Sequence, residues 1–126
     1  MTCVWTSIIK TLEPEDVKKL GSTPHALVNT LKQLNTITLG VMWQGQLVIP
    51  KQLQENKEWV DNYDTTLIAS GHLTGSADPF IFLISFLLNI RIIHCFNGNL
   101  IIYMPPLNKP RYTIRLRSSG SHMTNA

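Results

Sequence analysis

The sequence predicts an α+β domain, with helices first and then strands around one buried helix. Three observations predict it. Apolar residues recur at helical spacing from Val4 to Leu34, Asn97-Gly98 separates two runs rich in isoleucine, and apolar and polar residues alternate from Arg111 to Arg117. The 126 residues are read as one domain, 1–126, and a chain of this length buries a core without disulfides or metals. With 44% hydrophobic and 15% charged residues, it is not disordered by composition.

Val4, Trp5, Ile8, Ile9 and Leu12 fall on one helical face, which puts Cys3 at the amino end of a short buried helix. Pro14 suits the first position of a second helix, with acids after it and Lys18, Lys19 and Gly21 closing it. Ser22 or Thr23 caps a third, whose apolar stripe is Leu27, Val28, Leu31 and Leu34. From Ile37 to Ile49, β-branched residues surround Gln44-Gly45, so a hairpin ended by Pro50 is expected. Lys51 to Tyr63 reads as one broken helix or two short ones, with Glu55, Glu58, Asp61 and Asp64 giving a locally negative surface.

Gly71 to Ser76 is expected to be a loop. Asp78 followed by Pro79 starts a helix, and Phe80 to Leu88 is apolar on every side, which predicts central burial. Two strands, Ile90–Phe96 and Leu100–Met104, follow around Asn97-Gly98. Pro105, Pro106 and Pro110 stiffen the next loop. The last strand places Tyr112, Ile114 and Leu116 on one face and Arg111, Thr113, Arg115 and Arg117 on the other, before Ser118 to Ser121 break the pattern and His122 emerges. The letters of Ser118–Met123 resemble a cloning remnant, but such remnants usually precede a protein, and here the alternating strand runs straight into them.

A net charge of +3 and a pI near 9.0 are too modest to argue for nucleic acid. Two cysteines without a secretory leader imply free thiols in a reducing, cytoplasmic compartment. The most apolar run, Phe80 to Ile90, falls short of the ~20 residues of a membrane span and is closed by Arg91, so no membrane is expected. With Cys3 so near its start, the chain reads as a monomeric domain excised from a longer polypeptide.

A cysteine nucleophile needs a thiolate, a base to generate it and donors for the oxyanion formed on attack. Cys3 at a helix start meets the first and third requirements, because free N–H groups and the positive end of the helix dipole converge there. His122 offers the base, against the plainer reading of Cys3 as a small core residue. His25, His72 and His94 lack ligand-like companions, and adjacent His94 and Cys95 point to opposite sheet faces, so no metal is expected. No Lys-Ser or Lys-Thr follows Gly71 or Gly75, so there is no phosphate loop and no cofactor is expected. Arg111, Arg115 and Arg117 support a rival, a small RNA-binding module, but no aromatic residue interleaves with them, and an ordinary solvated strand face is preferred.

Cys3-Val4-Trp5-Thr6-Ser7-Ile8-Ile9 resembles the nucleophile helix of the ovarian-tumour (OTU) family of cysteine peptidases. The segment Gly71 to Asp78, leading into Phe80–Ile93, resembles that family's central loop, buried helix and core strand; Tyr112–Leu116 with Ser121-His122-Met123 resembles its closing strand and histidine motif. The resemblance implies a papain-like fold, a small central β-sheet flanked by helices, and hydrolysis of isopeptide or peptide bonds at the carboxyl end of ubiquitin or a ubiquitin-like protein. The compact form is most similar to viral members, which implies a viral polyprotein as a further substrate and the host cytoplasm as the location. It also implies Cys3 as nucleophile, His122 as base and then acid, Asn125 as candidate orienter, and the N–H groups of Thr2 and Cys3 as oxyanion donors. Glu58 and Asp61 with Trp5 would contact substrate, the acids facing the basic ubiquitin tail. A catalytically silent ubiquitin-binding module is the alternative.

Overall fold

The computed structural model describes residues 3–68, 78–107, 109–119 and 122–125, and of residues 3, 67, 119 and 122–125 the backbone only. In order, α1 (Cys3–Thr11), α2 (Pro14–Leu20) and α3 (Pro24–Gln33) precede β1 (Met42–Trp43) and β2 (Gln46–Leu47). Then come α4 (Pro50–Asp61), a 3₁₀ turn (Thr65–Leu67) and α5 (Asp78–Leu88). The chain closes with β3 (Arg91–Phe96), β4 (Asn99–Met104), β5 (Thr113–Ser119) and β6 (His122–Asn125). The α+β class is as the sequence predicts.

Local signals explain most of these boundaries. Pro14, Pro24 and Pro50 each open a helix, and Thr23 accepts a hydrogen bond from the Ala26 N–H at 3.2 Å. Gly21 ends α2 at φ 128°, where an added Cβ would lie 2.6 Å from the Ala26 carbonyl carbon, so this close turn admits only glycine. α5 stops at Asn89 in the left-handed region, and buried Ser85 donates from Oγ to the Ile90 carbonyl at 2.8 Å to close the turn into β3. Asn97 and Gly98, at φ 48° and 86°, make the tight link between β3 and β4.

The sheet has six strands in the order β2-β1-β4-β3-β5-β6, antiparallel except for the parallel pair β3–β5. That pair is possible because β4 ends and β5 begins at the same end of the sheet, on either side of the start of β3. Arg111 donates its N–H to the Asn89 carbonyl at 2.9 Å, and Arg91 donates to the Tyr112 carbonyl at 3.1 Å. Ile92, His94, Tyr103, Ile114 and Leu116 point to one side of the sheet, and there α1 and α5 pack on the strands with α3 against both helices. On the other side Ile93 and Cys95 are half-buried, while Leu100, Arg115 and Arg117 are exposed.

Several expectations need correction. Among the described residues the helices gather on one face rather than flanking the sheet, because only one face of the strands is apolar throughout. The Ile37–Ile49 hairpin shrinks to two residues a side. Val41 donates back to the Thr38 carbonyl, and Gly40 sits at φ 92°, so the chain turns before it can pair. Residues 50–61 make one helix, since Leu53, Asn56 and Val60 share a buried face. Strand β5 begins at Thr113 and runs on through Ser118 and Ser119, because Ser118 buries its side chain against a histidine. Residues 122–125 then form another strand. The expected loop 71–76, with His72, lies outside the described residues.

Candidate active site

The start of β5 fixes the direction of α1. Glu13, just past the helix, donates its N–H to the Tyr112 hydroxyl at 3.3 Å, and that hydroxyl donates to Asp16. Arg111 reaches both Asp16 oxygens at 3.3 Å and the Leu88 carbonyl at 2.8 Å. Burial and the Asp16 carboxylate push the Tyr112 hydroxyl up to about 12, so it remains a donor at ordinary pH. With its carboxyl end pinned where β5 begins, α1 runs opposite to β5 and packs against both β5 and β6. Its amino end, where Cys3 stands, therefore points toward the end of β5 at Ser118 and Ser119.

The same end of the sheet receives the amino end of α5, because Asn89 and Ile90 turn the chain straight back into β3. Trp5 packs edge-on against Phe80 with ring centres 4.9 Å apart, which ties the first turns of α1 and α5 together. His122 opens β6 opposite Ser119, while Met123 is the register partner of Ser118 and Asn125 that of Leu116. The elements that carry Cys3, His122 and Asn125 are thus neighbours, but by register His122 falls on the face of Arg115 and Arg117 and Asn125 on the face of Leu116, which α1 covers. The side chains of these three residues, and all of Thr2, lie outside the described residues.

A histidine that sequence reasoning gave a bland role is the best-defined polar group here. His94 is 4% exposed, and its Nε2 lies 2.5 Å from Oγ of Ser118, itself buried. Its Nδ1 is buried without a partner among the described residues. Burial lowers the imidazole below its ordinary value, and the nearby Asp78 carboxylate opposes that shift in part. Asp78 accepts the hydroxyl proton of Tyr103, whose own acidity is suppressed by burial and then by that carboxylate. The sequence signal for this cluster was the alternation of β3, which puts His94 and Cys95 on opposite faces. Its partner was hidden because a parallel β3–β5 pairing is a tertiary fact.

Other expected site residues fall elsewhere. Trp5 is 1% exposed and packs on Phe80 and Tyr63, so the substrate contact expected for it becomes a core contact. Glu58 and Asp61 are exposed on α4. Asp61 accepts from Lys57 Nζ and Asn35 Nδ2, both at 2.8 Å, which hold it below the usual carboxylate range. Arg115 and Arg117 stay exposed, but Arg111 is engaged with Asp16, which breaks up the basic row of the rival reading. Cys95 is a free thiol. Among the described residues no cluster of three His, Cys, Asp or Glu side chains could hold a metal, and no helix is long and apolar enough to cross a membrane.

Comparison with protein-family models, with curated proteins and with solved structures returns no match for this chain.

Proposed function

We propose that this chain is an OTU-like cysteine peptidase that cleaves isopeptide or peptide bonds after the carboxyl terminus of ubiquitin or a ubiquitin-like protein. What supports this reading is the packing of α1, with Cys3 at its amino end, against β6, the strand that His122 opens. The Cys3 thiolate attacks the scissile carbonyl after His122 accepts the thiol proton; His122 then protonates the departing amine, and water hydrolyses the thioester. The oxyanion is held by N–H groups at the start of α1, those of Thr2 and Cys3, where helix geometry leaves donors without intrahelical partners. Asn125 stands level with Leu116 and His122 level with Ser119, on alternate faces of β6, so the proposal rests on Cys3 and His122 without the orienter expected of Asn125. A papain-like arrangement, a viral polyprotein as second substrate and a place in the host cytoplasm belong to the same proposal.

The test is incubation with a ubiquitin derivative carrying a thiol-reactive group at its carboxyl end. The proposal expects one covalent adduct on the wild-type chain, retained in Cys95→Ser and lost in Cys3→Ala. Binding without an adduct selects the silent ubiquitin-binding module, and neither binding nor adduct removes the ubiquitin reading. Charge reversal with Glu58→Lys and Asp61→Lys is expected to raise KM for ubiquitin substrates at little cost in kcat.

A further inference from the structure

At the far side of the sheet from β6, the β1–β2 hairpin overhangs the amino halves of α4 and α5. The gap between them is a groove of about 410 Å³, walled by Trp43, Val48 and Phe82, and it adjoins a second hollow of about 220 Å³; Gln52, Asn56 and Asp78 line both. Asn56 is 6% exposed. Its side-chain oxygen accepts from Gln52 Nε2 at 2.9 Å, but its Nδ2 is a buried donor with no acceptor among the described residues. A buried amide donor without an acceptor is costly, so this nitrogen calls for an acceptor from outside the described residues.

The rim of the groove is a sheet edge. Among the described residues, strand β2 pairs with β1 alone. In a hairpin with a two-residue turn the closing pair, here Trp43 and Gln46, exchanges the ladder hydrogen bonds, so the N–H and C=O of Leu47 point away from β1. Apolar side chains crowd this rim: Leu47 is 69% exposed, Ile49 64% and Trp43 39%. Among the described residues, the charged groups in the two hollows are the carboxylates of Asp78 and Glu55, and neither hollow is lined by a lysine or arginine. A free strand edge, an apolar trough, a buried amide donor and carboxylates of one sign together describe a receptor for a cation-bearing extended chain.

We propose that this groove binds an extended peptide segment of a partner protein, with apolar and basic residues in alternation. The segment adds to the edge of β2 through Leu47, gives a main-chain carbonyl to Asn56 Nδ2, inserts an apolar side chain against Trp43 and Phe82, and directs a lysine or arginine toward Asp78 and Glu55. Five strand spacings of about 4.8 Å separate β2 from β6, roughly 24 Å, so the β2 edge lies apart from the elements that carry Cys3 and His122, with Asp78 bordering both the groove and the His94 cluster.

The probe is a blocked seven-residue peptide of alternating lysine and valine, titrated into the 15N-labelled chain alongside a counterpart with glutamate for lysine. The lysine peptide is expected to give saturable shifts at the Asn56 side-chain amide, the Trp43 indole N–H and the Leu47 backbone, and the glutamate peptide none. Asn56→Leu is expected to weaken binding about tenfold, a loss of about 1.4 kcal/mol, while raising Tm, since it deletes the unpaired donor; a merely structural Asn56 would lower Tm and leave binding alone. Ile49→Ser, at an exposed position, is expected to weaken binding of the lysine peptide severalfold without changing Tm, and keeps the test open if Asn56→Leu does not fold. Equal affinity for the two peptides, shifts centred on Ile93 and Cys95, concentration-dependent shifts without peptide, or no binding would each overturn the proposal.

Discussion

The two ends of the sheet are built on opposite principles. Where β3 and β5 begin, buried Asp16 is met by Arg111 and Tyr112, Tyr112 also accepts from Glu13, and main-chain bonds join Arg111 to Asn89 and Arg91 to Tyr112. Where β3 and β5 end, a buried imidazole keeps one nitrogen without a partner among the described residues, beside Ser118 and Asp78. Satisfied polar groups rigidify; unsatisfied ones cost stability and persist where something else uses them. The closed end orients α1 and β5, and the polar end holds the His94 cluster.

The largest expected break in this contrast is at the closed end. Asp16→Ala leaves Tyr112 and Arg111 without their carboxylate and should cost about 2–3 kcal/mol in urea unfolding, below the full penalty of a buried broken pair because the Arg111 side chain is 43% exposed and can hydrate. Asp16→Asn keeps an acceptor and should lose about half as much. If the alanine variant is as stable as wild type, the clamp does not anchor α1.

Ser118→Ala at the other end removes one neutral hydrogen bond and should cost about 1 kcal/mol, and Ser118→Thr should recover most of it. A larger loss would mean that the polar end is as tightly built as the closed one.

The sharpest distinction between the ends is in acid. Because burial holds folded His94 below its ordinary value of 6.5, the unfolded chain takes up this proton first as pH falls. The His94 contribution to stability is therefore intact above about 6.5 and declines as pH drops through that value toward the folded one. His94→Gln, whose amide can still meet Ser118, should flatten the fall in stability between pH 7 and 5; an unchanged slope would assign it to other groups.

The smallest effect is expected at the surface. Breaking the Lys57–Asp61 pair with Lys57→Ala should change stability by less than about 0.5 kcal/mol, since both side chains are substantially exposed and solvent screens the pair. A loss above that would show that Asn35, which also donates to Asp61, depends on the pair to join α3 to α4.

Much of this architecture is legible residue by residue. Proline at the first turn of α2, the Thr23 cap, Asn97-Gly98 and the uniformly apolar α5 act locally, so the sequence announces them, whereas Pro50 reads as the end of a hairpin although it opens α4. What it does not announce depends on partners distant in the chain. Arg111 looks like a strand residue until Asp16, 95 positions away, claims it, and Ser118 looks like a turn residue until His94 does. Trp5 looks available at a nucleophile helix until Phe80 and Tyr63 enclose it. Alternation in β3 puts His94 and Cys95 on opposite faces, but nothing local could say which of them is buried or name Ser118 or Asp78 as neighbours.

The proposed chemistry requires the Cys3 sulfur to share its proton with the His122 imidazole. The direct measurement is the pH profile of iodoacetamide alkylation of Cys3 in a Cys95→Ser background. A thiolate held at a helix start beside an imidazole reacts well below the ordinary cysteine value of about 8.5, and His122→Ala should return the midpoint toward that value. A midpoint near about 8.5 in both proteins would contradict the pairing, and with it the peptidase.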